Sequence, residues 1–269
     1  MGRPGQLFLV LISMVLMNSS YAQNAGKPFS ATAVQLTPQG AIQTKVFITE
    51  DAIRNEYERN GSKVIEIIHP DENKRVLLFP KEKVFMEQHA PAFPDQRVTD
   101  DGSPCEKLPG TLCRVIGDEV INGVETEKWE FSRVEKGRPV HTLHWIDKKR
   151  KLPVREFHSD GTVIEMTLLS DDKINKRKAE KWRMQIMNAS GQRSQFLQWY
   201  DPELKLIIRE EHPDGYVREL RDIKTGKQKT SLFTIPKNYQ RRARPPGPPR
   251  QAPPQRQFVQ PGPAVKGKP

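Results

Sequence analysis

"KLPVREFHSDG" runs from Lys151 to Gly161 and "KLIIREEHPDG" from Lys205 to Gly215, so the chain states nearly the same eleven residues twice, 54 positions apart. Each copy closes on Asp-Gly, a pair that supplies the left-handed backbone a tight hairpin needs. Ahead of that turn lies a short run of Val, Ile and Leu, the signature of a strand. The match extends outward. "LHWID" (Leu143 to Asp147) answers "LQWYD" (Leu197 to Asp201) at the same offset, Gly137 answers Gly191, and Lys128-Trp129 answers Lys181-Trp182 one residue out of phase. A repeated module over residues 128–169 and 181–223 organises this half of the chain.

Each unit parses as a four-stranded meander. Its strands are the one after Trp129 or Trp182, the "HWID" or "QWYD" strand, the "LPVRE" or "LIIRE" strand, and the one that follows Gly161 or Gly215. Leu143 and Trp145 fall two apart, as do Leu197 and Trp199, which puts each pair on one face. In the last strand the shared apolar positions Val163/Val217, Met166/Leu220 and Leu169/Ile223 are three apart, which suits a bulge or a helical turn as well as a plain strand. Upstream, residues 43–87 predict five short strands, with turns at Asn60-Gly61 and Pro70-Asp71 and a break at Pro80. Asn122-Gly123 adds another hairpin. Residues 171–182 permit a helix but offer it no apolar face. The expected fold class is therefore all-β and mainly antiparallel: a large curled sheet or half-barrel of meanders with few short helices.

Composition divides the chain into three parts. Residues 1–22 have the form of an export leader, with Arg3, the apolar run Leu7 to Met17, and small Ser20 and Ala22 before a cleavage point near Ala22. No later stretch is long enough to span a bilayer as a helix. The formal charge is +11, but eight lysines and arginines lie from Lys237 onward without an acid and a ninth is Arg3, which leaves +2 on residues 23–236. The basicity thus belongs to a Pro- and Arg-rich tail, residues 241–269, too poor in apolar side chains to offset its ordering entropy. Residues 23–240 form the expected β domain. Its two cysteines, Cys105 and Cys113 in "CEKLPGTLC", are expected to pair in an oxidising compartment, worth about 2–3 kcal/mol for so short a loop.

Several phrases carry a family resemblance. "VFITEDAIRNEYERNG", "VIEIIHPDENKRVLLFPKEKVFME", "PCEKLPGTLCRVIGDEVINGVETEKWEF" and the closing "SLFTIPKNYQ" resemble periplasmic proteins with the fold of the outer-membrane lipoprotein carriers, the LolA/LolB type. The nearest likeness is to an uncharacterised bacterial domain family in that superfamily, over most of residues 28–240. The resemblance implies a half-barrel whose concave face holds a hydrophobic group such as an acyl chain. The chain departs from that pattern in offering little helix to cap the cavity. Only the segment from Gln88 to Arg114, with Phe93, is placed to do so, and Pro91, Pro94, Pro104 and Pro109 keep any helix there short.

The side chains that carry chemistry point away from catalysis. His141 and His144 are three apart on a strand and face opposite ways, so they cannot share a metal ion. His158 and His212 enter equivalent turns. No Gly-x-Ser-x-Gly elbow is present. Arg155/Arg209, Glu156/Glu210 and Glu165/Glu219 are explained by cross-strand ion pairs of about 0.2–1 kcal/mol each. Trp129, Trp145, Trp182 and Trp199, with Phe93, are candidates to line a ligand groove, although a Trp at equivalent places of a repeat more often fills the core. The tail arginines Arg241, Arg242, Arg244, Arg250 and Arg256 suit contact with an anionic envelope surface, the tail reading otherwise as an extended docking peptide or an inert solubilising spacer. Nucleic acid is disfavoured by the leader and by the lack of interleaved aromatics. The expectation is a periplasmic, non-enzymatic binding protein without a cofactor, taking a lipid or lipoprotein acyl group or a partner segment. The alternative is a structural or sensory envelope protein whose sheet is filled by its own side chains.

Overall fold

The structure is a computed structural model that describes residues 27–89, 104, 110–135 and 137–242. The leader assigned to residues 1–22, most of the expected cap with Phe93, Cys105, and Arg244, Arg250 and Arg256 lie outside the described residues.

Two meanders make one sheet. The first comprises β1 (Phe29–Thr37), β2 (Gly40–Ile48), β3 (Ile53–Arg59), β4 (Ser62–His69), β5 (Lys74–Phe79) and β6 (Val84–His89). The second comprises β7 (Thr111–Ile121), β8 (Val124–Glu135), β9 (Arg138–Asp147), β10 (Pro153–Phe157), β11 (Val163–Ile174), β12 (Arg177–Met187), β13 (Arg193–Asp201), β14 (Leu206–Glu211) and β15 (Val217–Thr225). A one-turn 3-10 helix, Thr230–Phe233, and β16 (Gln240–Arg241) complete the described residues. β1 pairs antiparallel with both β2 and β15, which joins the meanders into a 16-stranded sheet whose edges are β7 and β16. The edges are not hydrogen-bonded to each other, so the sheet stays open.

The repeat units are β8–β11 and β12–β15. Their quoted eleven residues are a turn, a strand and a turn. Lys151 and Lys205 adopt φ of 56° and 54° at one end, and Gly161 and Gly215 adopt 86° and 84° at the other. Asp147 fixes the first turn by accepting from the backbone N–H of Lys149 and Arg150 at 2.7 and 3.0 Å, and Asp201 does the same for Glu203 and Leu204 at 2.9 and 3.0 Å. The three-residue apolar spacing in the last strand of each unit resolves as a bulge. It falls between Leu168 and Ser170 in β11, and opposite Ser30 to Thr32 in β15.

One helix-permissive stretch folds as strand, as its lack of an apolar face implied, and one strand was not expected. Residues 171–182 are not helical: they are the tip of the β11–β12 hairpin, turned by Asn175 and Lys176 at φ of 49° and 69°. With no apolar face to bury, a helix there has no tertiary stabilisation, whereas the hairpin completes both ladders. β1 was not expected. "FSATAVQLT" has no long apolar run, and its extended state is set by the two strands that flank it.

The chain ends by crossing the sheet. Leu232, Phe233, Ile235 and Tyr239 pack on Phe47, Ile65, Ile67, Val76, Leu78 and Phe85, and Arg54 donates to the Leu232 carbonyl at 2.6 Å. β16 then pairs in parallel with β6, where Arg241 meets Glu87 at 2.9 Å and the Arg242 N–H donates to the Phe85 carbonyl at 2.8 Å. The described sheet therefore takes in Arg241, the first residue assigned to the tail, and Arg241 and Arg242 are exposed.

Candidate binding face

Directly opposed residues in an antiparallel ladder share a face, so the register can be followed across the sheet. Trp129 opposes His144, His144 opposes Glu156, Glu156 opposes Ile164, and Ile164 opposes Ile186. Two and four residues back along β12, on the same side, Met184 opposes Phe196 and Trp182 opposes Gln198. Gln198 opposes Glu210, Glu210 opposes Arg218, and Arg218 opposes Gln35. Past β2, Val46 opposes Asn55, Asn55 opposes Glu66, and Glu66 opposes Leu77. One face thus runs from β8 to β5. On it Trp129, Phe131, Ile164, Met184, Ile186 and Phe196 are half-buried.

Three carboxylates of this face share a placement, each on the middle strand of a three-strand unit. Glu66 is 1% exposed, accepts from the Asn55 amide at 3.0 Å and pairs with Arg75. Glu210 accepts from the Gln198 amide at 2.9 Å, from Arg218 at 3.1 Å, and faces the His212 ring at 2.7 Å. Glu156 stands 2.9 Å from His158 and 4.0 Å from His144. Burial alone would raise the Glu210 pKa, but Arg218, His212 and Gln198 hold it below the ordinary carboxylate value. Burial pushes His144 below its ordinary value, against the pull of Glu156. Rings close around these groups: Phe196 stacks on His212 at 4.6 Å, Tyr216 meets His212 edge-on at 5.3 Å, and Phe131 lies 4.3 Å from His144. The Asn55–Glu66 unit lies outside the repeat seen in the sequence, because only its pairing, and no shared phrase, relates it to the other two.

The opposite face is closed by the chain itself, three times. The β7–β8 tip lies over the first repeat unit: Glu119 accepts from the Trp145 indole N–H, and Asn122 donates to Glu165 at 2.8 Å. The β11–β12 tip lies over the second, where Asp172 accepts from the Trp199 indole at 2.8 Å and Asn175 donates to the Leu220 carbonyl at 3.4 Å. The C-terminal crossing covers β3 to β6. Under each tip the indole is flanked by two cations, Lys128 and Arg155 at 4.7 and 5.1 Å from Trp145, and Lys181 and Arg209 at 5.1 and 5.5 Å from Trp199. Arg155–Glu165 at 3.9 Å and Arg209–Glu219 are the expected cross-strand pairs.

The structure therefore divides the four tryptophans. Trp145 and Trp199, 6% and 4% exposed, belong to the closed face and fill it. Trp182 shares the binding face but is 1% exposed beneath Arg150, which reaches over its ring to Glu180 and Asp147. Trp129 alone is half-buried, its indole donating to Glu127 at 2.7 Å. Tertiary folding of the hairpin tips made that division, which alternation along one strand cannot predict. Register puts His141 and His144 on opposite faces, opposing Ser132 and Trp129. Among the described residues no group of three His, Cys, Asp or Glu is arranged to hold a metal. Cys113 lies on β7, and no described cysteine is free. Among the described residues no helix is long and apolar enough to cross a membrane.

No protein-family model matches the chain, and neither does any curated protein. Among solved structures, it is similar to a LolA superfamily protein from Nitrosomonas europaea, at 11% identity and a TM-score of 0.37 over 82% of this chain and 96% of the other. It is also similar to a domain named for outer-membrane lipoprotein sorting from Vibrio parahaemolyticus, at 12% identity and a TM-score of 0.33 over 82% and 95%. A DUF1329 family protein from Desulfovibrio piger matches at 10% identity and 0.31, over 81% and 96%.

Proposed function

We propose that this chain is a non-enzymatic periplasmic binding protein that holds a hydrophobic group, a lipid or the acyl chain of a lipoprotein, against the face running from β8 to β13. The observation that carries the proposal is the asymmetry of the sheet. Three segments of the chain cover one face, while Trp129, Phe131, Ile164, Met184, Ile186 and Phe196 stay half-buried on the other. A half-buried apolar strip with a few placed polar groups is the composition of a ligand site. Glu156, Glu210 and their histidines border the strip and would meet the polar end of such a ligand. In this reading the leader is removed near Ala22, Cys105 and Cys113 are paired, and the tail is an accessory basic arm.

The burial of Trp145, Trp182 and Trp199 favours a second reading, a sheet filled by itself that works through partner proteins. Native mass spectrometry of protein purified from its own envelope separates the two. A co-purifying lipid mass is expected, and a fluorescent fatty acid should bind the delipidated protein. Met184→Glu and Phe196→Glu should abolish that binding, and Phe157→Glu on the other face should leave it intact. A clean unliganded mass together with no fatty-acid binding would overturn the lipid reading in favour of the second.

A further inference from the structure

The two repeat units do not balance their charges in the same way. At the offset of 54 residues His144 answers Gln198, Glu156 answers Glu210, His158 answers His212, and Ile164 answers Arg218. In the second unit Arg218 opposes Glu210's strand neighbour position and meets its carboxylate at 3.1 Å, so that charge is neutralised within the fold. Arg75 does the same for Glu66. In the first unit the place opposite the carboxylate is taken by Ile164, whose alkyl side chain compensates nothing. Among the described residues Glu156 meets only His158, at 2.9 Å, and His144, at 4.0 Å. Burial holds His144 below its ordinary value, so that ring carries no charge at pH 7. Around them on the same face the register puts Trp129, Phe131, Thr142, Ile164 and Ile186, none of which is charged.

A carboxylate in half-buried, largely apolar surroundings is costly without a counter-charge. The described fold supplies Glu156 with no lysine or arginine, and its face is the one that the hairpin tips and the C-terminal crossing leave uncovered. The rings beside it suit a cation. Phe131 lies 4.3 Å from His144, Trp129 opposes His144, and aromatic faces attract a positively charged nitrogen. Beyond Ile164, Ile186 and the Met184–Phe196 pair continue apolar surface across the next strands. We propose that Glu156, with Trp129, Phe131 and the two imidazoles, binds the positively charged nitrogen of a single-chain amphiphile whose alkyl chain lies along Ile164, Ile186, Met184 and Phe196. The inference rests on the reading of this strip as a lipid-binding face and adds to it the charge of the head group. Glu210 has no such role, because Arg218 already occupies the equivalent place.

Calorimetric titration of the delipidated exported chain, Gln23 to Pro269, tests it with three probes of one chain length: dodecyltrimethylammonium, dodecyldimethylamine oxide and dodecanoate. Titration at pH 8 lies above the ordinary imidazole pKa of about 6.5 and leaves the three heads cationic, neutral and anionic. The ammonium should bind about 10-fold more tightly than dodecanoate, with the amine oxide between them. Glu156→Gln, which keeps the shape and removes the charge, should abolish that preference. Ile164→Arg, which copies the second unit, should reverse it. Circular dichroism identifies a variant that has not folded, and the two variants reach the same carboxylate from different strands. Equal binding of the three probes, tighter binding of dodecanoate by the wild type, or a preference that survives Glu156→Gln would overturn this inference and leave the lipid-binding reading in place. Absence of binding by all three would overturn both.

Discussion

At the scale of single residues, equivalent places in a repeat have unequal fates. Trp182 is almost fully enclosed, so Trp182→Ala should cost about 3–5 kcal/mol in urea unfolding. Trp129→Ala removes a half-buried ring with one hydrogen bond and should cost about 1 kcal/mol. Two titrating groups give the sheet a pH dependence of one sign. Glu210 has a depressed folded pKa, so its stabilising contribution is present above the ordinary value of 4.5 and is lost as pH falls through the folded value. His144 is also depressed, which means the unfolded chain takes up its proton first; its contribution is present above 6.5 and is lost as pH falls from there through the folded value. Melting temperature should therefore decline from pH 7.5 to pH 5, and His144→Gln should flatten that decline. An unchanged slope in the variant would assign the decline to other groups. These environments were not legible beforehand: alternation identified which side chains share a face, and burial depends on what crosses that face.

At the scale of elements, hairpin tips close one face of the sheet over both repeat units. Asn175 turns the β11–β12 tip with φ of 49° and bonds to Leu220, so Asn175→Ala should cost about 1–2 kcal/mol. Asn175→Gly, which keeps the left-handed backbone, should cost less; equal losses would locate the effect in the side-chain bond alone. Phe233 anchors the C-terminal crossing at 7% exposure, and Phe233→Ala should lower stability by about 3–4 kcal/mol. The turns were legible because Asp-Gly and Asn-Gly have a fixed backbone consequence, and the bulge was legible because Val163, Met166 and Leu169 break a period of two. The stretch 171–182 permits a helix by propensity, but its lack of an apolar face argued against one, and it folds as the β11–β12 hairpin. β1 escaped notice because Ser30, Ala31, Thr32 and Ala33 become a strand only when β2 and β15 are already there to pair with it.

At the scale of the whole molecule, the two meanders are hydrogen-bonded through a single strand, and one core cluster holds residues of both, Ile48, Ile53 and Ile68 with Trp199, Leu206 and Ile208. β1 opposes β2 over its full length and β15 with one irregularity, so loss of that junction would break the ladder that joins the two meanders. Native-state hydrogen exchange should find β1 and β15 among the most protected strands and the edges β7 and β16 among the least. Early exchange in β1 would show that the halves open independently. The open edges also place the exposed Leu112, Val120 and Val134 on the β7–β8 hairpin, at the margin of the sheet.

The sequence by itself determined the local grammar: strands, turns, bulges, the duplication and the placing of surplus charge beyond Lys237. Those follow from backbone preferences and from side-chain spacing within about a dozen residues. Only the tertiary structure decided that β1 joins the meanders, that Asn55, Glu66 and Arg75 form a third unit of the same kind, and that Trp145 and Trp199 are sealed while Trp129 is not. Each of those outcomes is a contact between segments far apart in the chain, and burial is a property of the pair that meets, not of either segment alone.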